Sequence, residues 1–212
     1  MAPRGRDNLL GSGDIKMRLK HSTSLVAAFA LAQAACTTIG EHTAISTTLH
    51  ASELNSIGSV YMERPTFVSL QTYSDGRTAL VIEMDAYESR GPLAANVQSD
   101  HSIRLDPAQI DRYLPMIDKY FEWADLATSR GDIIDREIGR APGAGANMAG
   151  EIRFSLHSGN AASQLLVVEF CAAGACINPT FFTRSNATIL KQLLQDVKAG
   201  KVQHLNADEI YK

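Results

Sequence analysis

No apolar run in this sequence is long enough to cross a membrane as a helix. The greasiest stretch, residues 25–32 (LVAAFALA), falls far short of the roughly 20 residues such a helix needs. Basic charge is scarce as well: 20 Lys and Arg stand against 23 Asp and Glu, a net charge of −3. A chain of that balance without basic runs is a poor counterion for phosphate, which argues against nucleic acid and against anionic membrane surfaces as partners. The motifs that announce chemistry are missing too. There is no G-x-S-x-G elbow, no H-E-x-x-H pair, no phosphate-binding glycine loop and no calcium loop. The histidines (His21, His42, His50, His101, His157 and His204) are scattered. None has a His or Cys partner at helix or hairpin spacing, so neither a metal nor another cofactor is expected.

What the sequence does contain starts with an export signal. In residues 17–36 (MRLKHSTSLVAAFALAQAAC), Arg18 and Lys20 make a positive n-region and residues 25–32 a short apolar core. Ala32, Gln33 and Ala34 then form a small-x-small cleavage site. Residues 17–35 therefore read as a signal peptide. Residues 1–16 lack any period and read as a mis-assigned start or a disordered extension. A cut after Ala34 leaves 15 basic and 21 acidic residues, a net charge of −6. Residues 36–60 are polar and read as a tether, and residues 61–212 as a single domain large enough for one core.

Cysteine is rare, and its three positions carry information. Cys36 closes the signal region, where it is a candidate lipid-acceptor residue of a bacterial lipoprotein: Ala34 and Ala35 suit the two positions before it, while Gln33 stands where Leu is usual. The competing cut after Ala34 gives a soluble protein with a free thiol near its N-terminus. The expected location is thus periplasmic or secreted, with outer-membrane anchoring through lipid at Cys36 as the alternative and no other tie to a membrane. Cys171 and Cys176 flank a turn (AAGA) between two strand-like runs, QLLVVEF and CINPTFF. Opposed across a hairpin in an oxidising compartment, they are expected to form a disulfide. The spacing is not the C-x-x-C of a redox pair. Pairing 171 with 176 extends to Phe170 with Ile177, Val168 with Pro179 and Leu166 with Phe181, placing six apolar residues on one face.

Two stretches resemble each other. Residues 67–84 (FVSLQTYSDGRTALVIEM) and 153–170 (RFSLHSGNAASQLLVVEF) each run Ser-Leu, a polar turn, then a Leu/Val run ending in Glu. Each is followed by a third extended piece and a helix. The order β-β-β-α twice over suggests an internal duplication with halves near 61–131 and 149–200. The first helix starts with Asp106 as cap, Pro107 at its first position and Gln109 completing a capping box. Ile110, Leu114, Ile117, Phe121 and Ala124 give it an apolar face. The second buries Ile189, Leu190, Leu193 and Val197 and stops at Gly200. The expected fold is α+β: one antiparallel sheet from two hairpin-containing halves, with both helices on one face.

Three groups of residues are candidates for a site. Tyr113, Tyr120 and Trp123 form a second stripe on the first helix, either an aromatic binding platform or a widening of its buried face. Glu83 and Glu169 end equivalent strands and are a candidate acid/base pair, or simply solvated strand ends. His157 is a candidate base for a hydroxyl nucleophile, although no orienting carboxylate is specified. Taken together, these observations point to an exported envelope protein that binds a protein or cell-wall partner without catalysis. A small periplasmic hydrolase and a carrier of a lipid or other apolar molecule are the alternatives.

Overall fold

In the computed structural model, the residues described are 38–55, 58–85, 101–144 and 150–205. The proposed leader, Cys36, the 87–100 connection and residues 145–149 of the glycine-rich 141–150 segment lie outside them. Among the described residues ten strands and two α-helices follow in order: β1 (Ile39–Ile45), β2 (Ala51–Asn55), β3 (Val60–Arg64), β4 (Thr66–Tyr73), β5 (Thr78–Met84), β6 (His101–Leu105), α1 (Ile110–Arg130, entered through a 3₁₀ turn, Pro107–Gln109), β7 (Asp135–Pro142), β8 (Glu151–Asn160), β9 (Ser163–Ala172), β10 (Ala175–Phe182) and α2 (Arg184–Ala199). The class is α+β, as expected. The strands, however, make two antiparallel sheets rather than one, ordered β1-β4-β5-β6 and β3-β2-β10-β9-β8-β7. Both helices pack on the six-stranded sheet, and apolar residues of both sheets and both helices share one core. The order β-β-β-α occurs twice, as β4-β5-β6-α1 and β8-β9-β10-α2.

Within the segment read as a tether, the described residues 38–55 and 58–60 form strands instead. They hold β1, β2 and the start of β3, with β1 paired along β4. Few of these residues are apolar, but Ile45, Leu49 and Ala51 are nearly fully buried. Half-buried strands need only one apolar face, and a short strand can supply it with a few residues.

Both hairpin turns are formed. Gly76 has φ 81° in the first; in the second, Ala173 and Gly174 have φ 51° and 84°. Positive φ at both central positions marks a two-residue turn, which matches the twist of the strands. The α1 start differs from the capping-box expectation. The Asp106 carboxylate accepts from the Ala108 N–H at 2.9 Å, but the Asp106 N–H is taken by the Tyr113 hydroxyl at 3.1 Å, not by Gln109. Tyr113 in turn donates to the Pro142 carbonyl, joining the helix start to β7. Along the helix pair, Asp111, Asp118 and Asp125 of α1 meet Lys198, Lys191 and Arg184 of α2. The three acids are seven residues apart, two helical turns, so they line one flank.

Candidate functional site

Alternation along β8 divides the six-stranded sheet into two faces. Ile152, Phe154, Leu156 and Ser158 are buried toward the helices, so Arg153, Ser155 and His157 point to the outer face. Register places Asp135 of β7 opposite His157, Glu169 opposite Arg153, and Phe181 opposite Val167 on that same face. The surprise is Tyr61. It lies on β3, four places from β8 in sheet order, roughly 19 Å away if the sheet were flat with strands about 4.8 Å apart. Yet its hydroxyl bonds His157 Nε2, and its ring packs 4.8 Å from Phe181. The sheet therefore curls, its outer face turns concave, and the β2–β3 hairpin reaches back over it. β2 joins β10 through a single residue pair, Ser52 with Phe181, which leaves the hairpin free to cross at an angle.

His157 Nδ1 bonds the Asp135 carboxylate. Since that oxygen only accepts, Nδ1 carries the proton, and Nε2 accepts from the Tyr61 O–H in the neutral ring. The orienting carboxylate that the sequence left unspecified is Asp135, directly across the β7–β8 ladder. Burial, and secondarily the Asp135 charge, push the Tyr61 phenol above its ordinary value. It stays a hydroxyl and is no ready nucleophile. Asp135 and Tyr61 approach opposite nitrogens of the ring, so the three do not converge on a point where a metal could sit. Among the described residues no cluster of His, Cys, Asp and Glu could hold one. Tyr61→Phe is expected to lower stability by about 1 kcal/mol, the net worth of one hydrogen bond, with the ring packing kept. An unchanged urea midpoint would show the bond to be idle.

The acid/base pairing of Glu83 and Glu169 is not formed. Glu83 belongs to β5 in the four-stranded sheet, Glu169 to β9 in the six-stranded one. Glu169 is buried and spent on Arg153, whose Nε and Nη2 donate to its Oε1 at 2.9 and 2.6 Å. Glu137 bridges Arg140 and Arg153, and the Arg140 hydrogen bonds hold its carboxyl below the usual range. These carboxylates are structural anions, each already satisfied.

The aromatic platform also fails for two of its three members. Tyr113 and Tyr120 are fully buried, and Tyr120 donates to the Gln164 carbonyl at 2.9 Å. The apolar face of α1 is rotated from the expected one: it runs Ile110, Tyr113, Ile117, Tyr120, Ala124 and Ala127, while Leu114 and Phe121 are only partly buried. Trp123 alone reaches the surface. Burial raises both phenols from 10.0 to about 12. Because the neutral form is favoured in the fold, their contribution is intact below pH 10 and is lost as pH climbs through about 12. Alkaline unfolding monitored by circular dichroism should therefore coincide with ionisation of at least two of the six tyrosines. Phenolate absorbance complete near pH 10 with the fold intact would contradict it.

Cys171 and Cys176 are paired in register, with sulfurs 1.99 Å and Cα atoms 4.0 Å apart. A two-residue turn makes 172–175 the hydrogen-bonded pair and 171–176 the closer, non-hydrogen-bonded one. Beside this hairpin lies a cavity of about 340 Å³ lined by Arg140, Pro142, Glu151 and Cys171. Another, of about 390 Å³, lies between β1 and α2 and is lined by Ile45, Thr47, Ile189 and Leu193. Neither borders His157, Glu83 or Glu169. No helix among the described residues is long and apolar enough to cross a membrane. No family model, curated protein or solved structure matches the chain.

Proposed function

We propose that this is an exported envelope protein that binds a protein partner and performs no catalysis. The observation that carries the reading is the distribution of sheet edges. Among the described residues, β1 is met by residues 203–205 through Ser46, Ala44 and Ile45, and β6 is met by Ala144 at the Arg104 carbonyl. The six-stranded sheet ends in β3 and β7. On β3, Val60 and Met62 are exposed apolar side chains. A terminal strand with exposed apolar residues is a template for pairing, which natural proteins either block or use. Export is supported by the signal-like segment ahead of Cys36 and by a cysteine pair at bonding distance, which persists in an oxidising compartment.

A hydrolase is the second reading, favoured by the Asp135–His157–Tyr61 line. It ranks lower because the hydroxyl in that line is a phenol raised in pKa and neither cavity borders it. Cell fractionation combined with intact mass tests the main reading: processed protein in the envelope fraction is expected, and a diacylglyceryl mass on Cys36 would identify an anchored form. A photo-crosslinking amino acid at position 60 should capture a discrete partner in intact cells. Full-length cytoplasmic protein with reactive Cys171 and Cys176 would overturn the reading.

A further inference from the structure

The flanks of α1 are unequal in charge. Its three heptad-spaced acids are consumed by α2, as described above. The other flank, Arg112, Met116, Lys119, Trp123, Leu126 and Arg130, runs at steps of four and three and so lines one side of the helix. Two contacts show that this side faces β7. The Met116 sulfur lies 3.4 Å from where a Cβ on Gly139 would be, and the Arg136 guanidinium stands 5.0 Å from the centre of the Trp123 ring. Lys119 flanks the same ring at 5.7 Å. Among the described residues neither Arg112 nor Arg136 has a carboxylate partner, whereas Lys119 is shared with Glu122 and Arg130 with Asp132. Leu126 and Ile133, close by in sequence, are 55% and 74% exposed. Among the described residues β7 is the terminal strand of its sheet, with its Pro142 carbonyl taken by Tyr113.

We propose that the surface along α1 and β7 binds an extended acidic segment of a protein partner. Carboxylates of the segment meet Arg112 and Arg136, and its apolar side chains lie against Trp123 and Ile133. The inference rests on the reading of the chain as a binding protein and assigns it a second surface, on the helix-bearing side of β7 and not on the β3 edge. Charge complementarity selects the occupant: in a molecule of net charge −3, this flank pairs unneutralised cations with an aromatic ring. An extended segment alternates its side chains, so every second residue faces the cations. The β-bulge between Glu137 and Gly139 interrupts regular pairing, so recognition leans on side chains more than on a long ladder. An anionic membrane fits less well. Trp123 lies partly buried beside Arg136 instead of projecting as a membrane-inserting side chain would.

Trp123 is the single tryptophan of the chain, so its fluorescence reports on this surface alone. The probe is a short peptide of alternating Glu and Leu, titrated into the full-length protein at low salt. Saturable binding with a shift in tryptophan emission is expected, weakening with added salt. The double variant Arg112→Glu, Arg136→Glu, checked for native circular dichroism, should bind on the order of tenfold more weakly or worse. A Lys–Leu peptide of the same length should not bind. Absence of binding, binding that leaves the emission unchanged or survives in the double variant, or retention on phosphatidylglycerol vesicles in place of the peptide would each overturn the proposal. None of these outcomes bears on crosslinking at position 60, so the two surfaces can fail separately.

Discussion

Phe182→Ala should destabilise the protein by about 3–5 kcal/mol, the usual cost of emptying an aromatic site in a packed core. Phe181→Ala should cost only about 1–2 kcal/mol, in proportion to its half-buried surface. The contrast arises from one bulge. From Cys176 and Ile177 the register of β10 against β9 runs as the sequence predicts, then it shifts, and Thr180, Phe181 and Phe182 pair with Val168, Val167 and Leu166. Asn178, with φ 54°, takes up the extra residue together with Pro179. An added residue reverses the parity of everything after it. Phe182, completely buried, therefore enters the core in the place the uninterrupted ladder gives to Phe181. Phe181 turns to the concave face against Tyr61 and His157. Urea midpoints at unchanged slope measure both costs. Equal costs, or a reversed order, would mean that the shift in register is wrong.

That bulge also marks where the sequence stops being readable. Turns written in Asp-Gly or around Gly174 are local, and both hairpins and the Cys171–Cys176 pairing follow from them. The helix starts are local as well, because Asp106 caps the 3₁₀ turn Pro107–Gln109 that leads into α1 and Thr183 caps α2, each within three residues. What stays hidden depends on distant partners. A Pro after a positive-φ Asn in a strand suggests an irregularity but does not say which side chains end up inside. Tyr113 reads as amphipathic surface until the Asp106 N–H and the Pro142 carbonyl, 29 residues away, are seen to take its hydroxyl. The candidate base His157 is legible only as a lone histidine. Asp135 could be found by extending the β8 ladder back to the segment after α1. Tyr61 could not, since it depends on the curl of a whole sheet. The flank of α1 that faces β7 was half visible, through Trp123 in the second stripe. Its charge becomes meaningful only once Asp111, Asp118 and Asp125 are seen to be engaged by α2.

Asn186→Leu keeps a branched side chain, at a larger volume, and removes its polar atoms, and a loss of about 2–3 kcal/mol is expected. Asn186 is buried at the start of α2. Its Oδ1 accepts from the His50 N–H at 2.9 Å, and its Nδ2 donates to Glu63 Oε1 at 3.0 Å and to Thr183 Oγ1 at 3.1 Å. One amide thus ties together the approach to β2, the β3 edge strand and the cap of the helix, all in different parts of the chain. Leucine would strand the His50 N–H, at a cost of roughly 1–3 kcal/mol, and would cut the tie to Glu63, whose exposed carboxylate water then solvates. Asn186→Asp separates the roles, because it keeps the acceptor for His50 and replaces the donor with a second anion beside Glu63. Like charges raise the pKa of one carboxyl in the fold, so the folded state binds the extra proton more tightly than the unfolded chain does. The stability of this variant, relative to wild type, should therefore recover as pH falls through the acid range. A pH-independent deficit would show that Glu63 is not the partner that matters, and a near-neutral leucine variant would show that the amide ties nothing.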